Sequence, residues 1–326
     1  MKNEKTKQKL LRLQKILLEE TDERHPLTMP QILDKLKAYG ITAERKSIYR
    51  DLEELEESGM DILSEQRDNH HVYYVGSREF ELAEVKLLAD AVASARFISG
   101  KKSAELLKKL GSLTSREEAK LLNRGILNAG RVKAENEAVF YIVDNIHTAI
   151  REDRQVTFQY FQWNRKKEQE LRHGGAFYTV SPWALIWDDE YYYLVAFDTG
   201  IIKHFRVDKM RNLGILPEKR EGAEVLGKTD LASYTKKNFS MFSGEEERVS
   251  LEAENRYAGI LIDRFGKDIF LYSLDEDHFR AVVDVAVSEQ FISWIFSLGV
   301  GIRITGPEPV LSRVRKMTER LAEQYR

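Results

Sequence analysis

The sequence predicts an α+β protein built from several domains. Three observations carry this. Apolar residues recur at helical spacing through most of residues 1–150, aromatic period-two alternation takes over near Gln155, and strands and helices alternate regularly from Arg248 onward. At 326 residues the chain is also too long for one ordinary core. The expected division is 1–76, 77–150, 151–245 and 246–326.

Composition narrows the possibilities. The chain is 42% hydrophobic and 32% charged, which is globular rather than disordered. It has no cysteine, so it has no disulfide, no thiolate zinc site and no cysteine nucleophile. The start, MKNEKTKQKL, lacks the apolar run of a signal peptide, and no stretch of about 18 apolar residues follows. A cytoplasmic location is therefore expected, with no membrane contact. The formal net charge is -2, so any nucleic-acid contact must rest on local positive charge.

The first helix is marked by Leu10, Leu11, Leu13, Ile16 and Leu17. In TMPQILDKLKAYGIT, Thr28 and Gln31 suggest a capping box, and Ile32, Leu33 and Leu36 form a core stripe ahead of a turn at Gly40. The third helix, RKSIYRDLEELEESG, turns Ile48, Leu52 and Leu55 inward, with Thr42 as expected N-cap and Gly59 as stop. Lys46 and Arg50 lie opposite that stripe, flanked by Arg45, Tyr49 and Ser47. Glu53, Glu54, Glu56 and Glu57 crowd the other end, where negative charge opposes the helix dipole. A polyanion lying against the N-terminal half explains this polarity; a merely solvated charged face is the alternative. MDILSEQRDNHHVYYV then reads as a hairpin turning near Asp68-Asn69. Three helices and a hairpin make a winged helix-turn-helix, whose third helix enters the DNA major groove. The third helix also resembles the recognition helix of the DeoR-like, WYL-domain transcriptional regulators, R-T-I-Y-R-D-L-x-x-L-x-x-x-G, with Lys46 for arginine and Ser47 for threonine.

Residues 77–150 read as a helical linker. Leu82, Val85, Ala89 and Val92 keep helical spacing, Ser103 and Ser115 are expected N-caps, and Ser115 with Glu118 forms a capping-box pair. The run LLADAVASARF suits either a dimerising surface or a small internal core. A last helix is expected near Glu135 to Ile150.

Residues 151–245 contain four strand candidates, VTFQYFQW, AFYTVSPWALIW, EYYYLVAF and IIKHFRV, with turns at Asp188-Asp189 and Thr199-Gly200. They suggest a small barrel or curled sheet. Alternation puts His204 and Arg206 on one face and Phe205 and Val207 on the other. Ser181 adds a hydroxyl, and Trp183, Tyr178 or Tyr193 a stacking surface, a set suited to phosphate and base recognition. The alternative is an Arg206–Asp208 ion pair beside tyrosines that fill a barrel.

Tyr192-Tyr193-Leu194, the pattern Lys203-His204-Phe205-Arg206-Val207-Asp208-Lys209-Met210 and the upstream SPWALIW resemble the motifs of WYL domains. That resemblance implies an Sm-like, SH3-type β-barrel that senses a nucleotide or nucleic-acid ligand, with Ser181, Trp183, Tyr193, His204 and Arg206 as the ligand-binding set. From Arg248 the order is strand, helix, strand, strand, helix, strand and final helix, a ferredoxin-like βαββαβ plan. It resembles the C-terminal extension of many WYL regulators. Trp294 and Phe291 are expected in its core.

No nucleotide-binding, zinc-hydrolase or nucleophile-elbow motif is present, and His70-His71 are poor co-ligands. No catalysis, cofactor or metal is expected. The sequence reads as a homodimeric transcriptional regulator that binds a double-stranded DNA operator under control of a nucleotide or single-stranded nucleic-acid effector. A static nucleic-acid-binding accessory protein, or a regulator whose barrel binds a protein, are the alternatives.

Overall fold

The computed structural model describes residues 2–125, 133–188, 190–226 and 244–326. The chain divides into two compact units, Met1–Glu137 and Ala138–Arg326.

The first unit opens with α1 (Lys2–Glu20), β1 (Leu27–Thr28), α2 (Met29–Ala38) and α3 (Arg45–Glu57), followed by the hairpin β2 (Ile62–Arg67) and β3 (His70–Val75). The strands form a three-stranded antiparallel sheet in the order β1-β3-β2. The capping box at α2 is closed from both sides, as Thr28 N–H donates to Gln31 Oε1 at 2.7 Å and Gln31 N–H to Thr28 Oγ1 at 3.4 Å. Asp68 and Asn69 turn the hairpin with φ of 46° and 63°, values these short polar residues tolerate. Leu13, Ile16, Leu17, Ile32, Leu36, Ile48, Leu52 and Leu55 share one core with Tyr73 and Val75. Two local expectations fail. Leu11 is 64% exposed, because the inward stripe of α1 runs through Leu13, Ile16 and Leu17. The N-cap of α3 is Glu44 rather than Thr42, and no side chain caps the helix.

Three more helices complete this unit: α4 (Leu82–Ser94), α5 (Gly100–Gly111) and α6 (Arg116–Gly125). Val85 and Ala89 face inward from α4, while Leu87 and Leu88 are exposed. The cap of α5 is Ser99, whose hydroxyl accepts from Lys102 N–H at 3.2 Å; Ser103 lies inside the helix, four residues further on. Ser115 and Glu118 do make reciprocal bonds at 3.1 Å. Ser115 also donates its hydroxyl to Asp22, just beyond α1. Burial alone would raise the Asp22 pKa, but bonds from Ser115 and His25 hold it below its ordinary value. Arg116 adds pairs to Glu19 at 2.8 Å and Glu20 at 3.3 Å. The helices of residues 77–125 are thereby tied to the end of α1.

The second unit begins with α7 (Val139–Arg151), which buries Val139, Ile142, Ile146 and Ala149 and packs on the strands that follow it. These are β4 (Arg154–Trp163), β5 (Gln169–Leu171), β6 (Tyr178–Asp188), β7 (Tyr191–Asp198), β8 (Ile201–Arg206) and β9 (Met210–Lys219). The sheet runs β5-β4-β6-β7-β8, with β9 also on β4. Strand β4 serves three neighbours, which curls the sheet: Val156–Phe158 pair with β6, Phe161–Trp163 with β5, and β9 runs along Arg154–Tyr160 with two shifts of register. Phe158, Tyr160, Tyr178 and Phe205 form an aromatic cluster inside, with ring centroids 5.1 to 6.4 Å apart. Thr199 and Gly200, at φ of 47° and 89°, turn β7 into β8. Asp189 of the other expected turn lies outside the described residues.

After the short helix α8 (Ala223–Leu226) come β10 (Glu245–Glu254), α9 (Ala258–Phe265), β11 (Phe270–Ser273), β12 (His278–Val287), α10 (Glu289–Ser297), β13 (Ile302–Gly306) and α11 (Glu308–Gln324). The four strands form an antiparallel sheet, β11-β12-β10-β13. Val249, Leu251, Phe279, Ala281 and Val283 meet Leu261, Phe291, Ile295 and Val310 from the helices in one core. Phe291 is fully buried and Trp294 packs edge-on to Phe265 at 5.9 Å, so both are core residues.

Candidate functional site

In the first unit, helix α3 presents Arg45, Lys46, Tyr49 and Arg50 to solvent while Ile48, Leu52 and Leu55 turn inward. Among the described residues, Arg45, Lys46 and Arg50 form no salt bridge or side-chain hydrogen bond. Tyr49 leans toward β3, its ring 6.5 Å from that of Tyr73. Burial, and then the Tyr49 hydroxyl, push the Tyr73 phenol up to about 12. Ser47 stands apart from the other four. It accepts a hydrogen bond from the buried Lys9 ammonium, which also pairs with Asp51 at 2.8 Å. Helix α3 thus has one polar face gripped by α1 and a second, cationic face that makes no ion pair among the described residues.

In the second unit, the expected ligand set lies along one face of β6, β7 and β8 but does not converge. Tyr193 sits opposite Arg206, Val195 opposite His204, and Phe197 opposite Ser181. Ser181 is therefore four residues, about 13 Å, along the sheet from Arg206. Its buried hydroxyl accepts the Glu221 N–H at 2.8 Å, and Trp183 Nε1 donates to the Glu221 carbonyl at 2.8 Å. The Arg220 guanidinium covers the Trp183 ring at 4.2 Å and donates to Pro182 O at 3.0 Å. Ser181 and Trp183 thus clasp the chain after β9. Gly222 completes the clasp at φ +87°, where an added Cβ would fall 2.4 Å from Phe197.

His204, the neighbour of Arg206 on this face, carries no charge to share with it. Burial pulls its pKa down to about 4, so the ring is neutral at pH 7 and is no cationic donor there. Arg206 carries its charge differently. It forks onto Asp208 at 2.7 and 3.0 Å, and its guanidinium lies 3.4 Å from the Tyr191 ring centroid. Burial works against its charge, but Asp208 outweighs that and the pKa is raised.

The curl of the sheet brings three further groups to Arg206. Tyr160 Oη accepts the Arg206 backbone N–H at 3.1 Å. Because Phe161 pairs with Leu171, the next residue, Arg172, arrives beside Tyr160 from one side; because Tyr160 pairs with Met210, Lys209 arrives from the other. Neither Arg172 nor Lys209 forms an ion pair or side-chain hydrogen bond among the described residues. Burial and then the Arg206 charge lower the Lys209 pKa, as expected for neighbouring cations. His173 meets Tyr178 at 5.6 Å on the same side. The result is a cluster of cations and rings that can take a phosphate and stack a base. Sequence reading missed Arg172, because β5 is only three residues long and has no period to read. Lys209 and Tyr191 were visible beside the WYL-like motifs and lacked only a partner to single them out. No cluster of metal-ligating residues occurs among the described residues.

No curated protein matches the sequence. Among solved structures, Proteasome accessory factor B/C (PafBC) of Arthrobacter aurescens aligns with 98% of this chain and 49% of its own, at 19% identity and a TM-score of 0.28. The chain spans about half the length of that protein. The family model of the WYL domain matches residues 141–215, from the first turn of α7 into β9, a stretch that holds Arg172, Tyr191, Arg206, Asp208 and Lys209. The chain therefore contains a WYL domain, formed by the curled sheet and the helix packed on it.

Proposed function

We propose that this chain is a DNA-binding transcriptional regulator. Helices α1 to α3 with the β2–β3 hairpin are read as a winged helix-turn-helix, the curled sheet as an Sm/SH3-type barrel and the last sheet as a ferredoxin-like extension. The observation that carries the reading is the solvent face of α3. Three cations that form no salt bridge among the described residues sit at one end of a helix held from behind by Lys9, in a chain that also contains a WYL domain. Such a face suits insertion into a major groove, with Lys46 and Arg50 toward base edges and Arg45 and Tyr49 at the rim. Ser47 serves the α1 contact instead. A homodimer would place two such faces on an inverted site.

Arg50→Ala is expected to cost about 1–3 kcal/mol in operator affinity and to relax preference at one base position. Binding isotherms against an operator and a scrambled duplex read both effects. Wild-type affinity and preference in Lys46→Ala with Arg50→Ala would refute the assignment.

The effector is read as a nucleotide or short single strand whose phosphate lies on Arg172, Lys209 and Arg206. Arg206→Ala is a poor probe alone, because it strips the guanidinium from the buried Asp208. Arg172→Ala and Lys209→Ala break no ion pair. Each is expected to weaken effector binding by about 1.5–3 kcal/mol. Fluorescence anisotropy with cyclic dinucleotides, short DNA strands and short RNA strands measures this. If wild type and both variants bind alike, the cluster is not the effector site. Operator affinity that ignores every bound effector would favour the static accessory protein.

A further inference from the structure

The first unit has a cleft of about 920 Å³ between α1 and the chain joining α2 to α3. Lys9, Arg12 and Lys15 line one wall; Tyr39, Gly40 and Thr42 line the other. Lys9 is bound to Ser47 and Asp51 of α3, so the cleft is fastened to the recognition helix. Arg12 lies over the Tyr39 ring at 4.8 Å and has no ion pair among the described residues. Lys15 pairs within its own helix, 3.4 Å from Glu19, with both side chains partly solvated, a pair of little strength. The far wall is bare backbone at Gly40, where φ is +76° and no atom lies within 4 Å of an added Cβ. Glu44 is the acidic residue in its lining.

Charge runs along α1 as it does along α3. Lys2, Lys5, Lys7, Lys9, Arg12 and Lys15, with the one acid Glu4 among them, precede Glu19 and Glu20, an order that mostly opposes the helix dipole. The Lys9–Ser47 contact sets the basic part of α1 beside the basic end of α3. Two helices with the same unfavourable polarity, joined at their positive parts, point to one polyanion that spans both.

We propose that the α1 cleft binds the sugar-phosphate backbone of the duplex whose groove α3 enters, with Arg12 and Lys15 facing successive phosphates. This rests on the DNA reading of α3. A backbone contact carries no sequence information; it sets register and adds salt-dependent affinity.

The test is Arg12→Gln with Lys15→Gln in the full chain, with operator and scrambled duplexes titrated across a salt series. Both duplexes are expected to bind more weakly by the same factor, and the slope of log K against log salt falls by about 2, since each phosphate no longer neutralised removes about 0.9. Preference for the operator stays at its wild-type value, whereas Arg50→Ala changes it. Arg12→Lys with Lys15→Arg keeps the charge and restores the slope. An unchanged slope in the glutamine variant, while Arg50→Ala still alters preference, overturns the cleft and leaves the α3 reading intact. A wild-type chain that binds no duplex overturns both.

Discussion

Replacing Asp51 with alanine is expected to cost the first unit about 3–5 kcal/mol. Asp51 lies on the inward side of α3 and Lys9 on the facing side of α1, at 5% and 8% exposure. Their 2.8 Å contact is an ion pair in which Asp51 Oδ2 lacks hydrogen-bond alignment. The alanine variant leaves an ammonium buried with only the Ser47 hydroxyl beside it, and that uncompensated charge dominates the loss. Removing both charges is a different matter. Lys9→Met with Asp51→Leu keeps the volume and is expected to be neutral or stabilising by about 1–4 kcal/mol. Hydrogen exchange at the amides of α1 and α3, measured in the full chain, reports the local stability. Equal losses in the single and double variants would show that packing, not stranded charge, sets the cost.

Acidification should loosen the WYL domain through His204. Its pKa is about 4 in the folded chain and near 6.5 when unfolded. Between those values the unfolded chain holds a proton that the folded chain does not, so stability rises with pH across that window. The contribution is fully present above pH 6.5 and is lost as pH falls to about 4, up to about 3 kcal/mol. His204→Gln should flatten the change in denaturation midpoint between pH 7 and pH 4.5. Matching curves for variant and wild type would show that His204 is solvated when folded. The same shift removes His204 as a source of pH dependence in effector binding near neutrality, where Arg172, Arg206 and Lys209 carry the charge.

What the sequence made legible follows from the range of each interaction. The stripes of α2 and α3, the Thr28–Gln31 box and the Asp68-Asn69 turn are written within a few residues, and the structure contains each of them; the α1 stripe holds except at Leu11. Alternation along β8 likewise put Arg206 and His204 on one face, and Asp208, two residues on, was weighed as the arginine's partner. The remainder depends on distant neighbours. Asp51 reads as one more surface acid until Lys9, far earlier in the chain, is placed beside it. Ser181 and Trp183 read as ligand groups until Glu221 claims them. Strands β5 and β9 escaped because one is very short and the other holds a glycine and a proline, yet they are what bring Arg172 and Lys209 to Tyr160. Local propensity shows which face a residue occupies; only the curled sheet shows which face it meets.

The opposed ends of α3 have a kinetic consequence. Arg45, Lys46 and Arg50 lie at one end and Glu53, Glu54, Glu56 and Glu57 at the other, in a chain whose formal net charge is only -2. Helix α3 therefore carries a local charge separation on a chain with little net charge. In the field of a long polyanion the net pull on it is weak, but the torque is not. It turns positive end first before any surface touches, so a larger share of encounters begin in a productive orientation. Capture should then slow as ionic strength rises even though the whole molecule is slightly anionic. Reversing the acids at Glu53 and Glu56 would add attraction while removing the steering, trading oriented encounters for sticky ones.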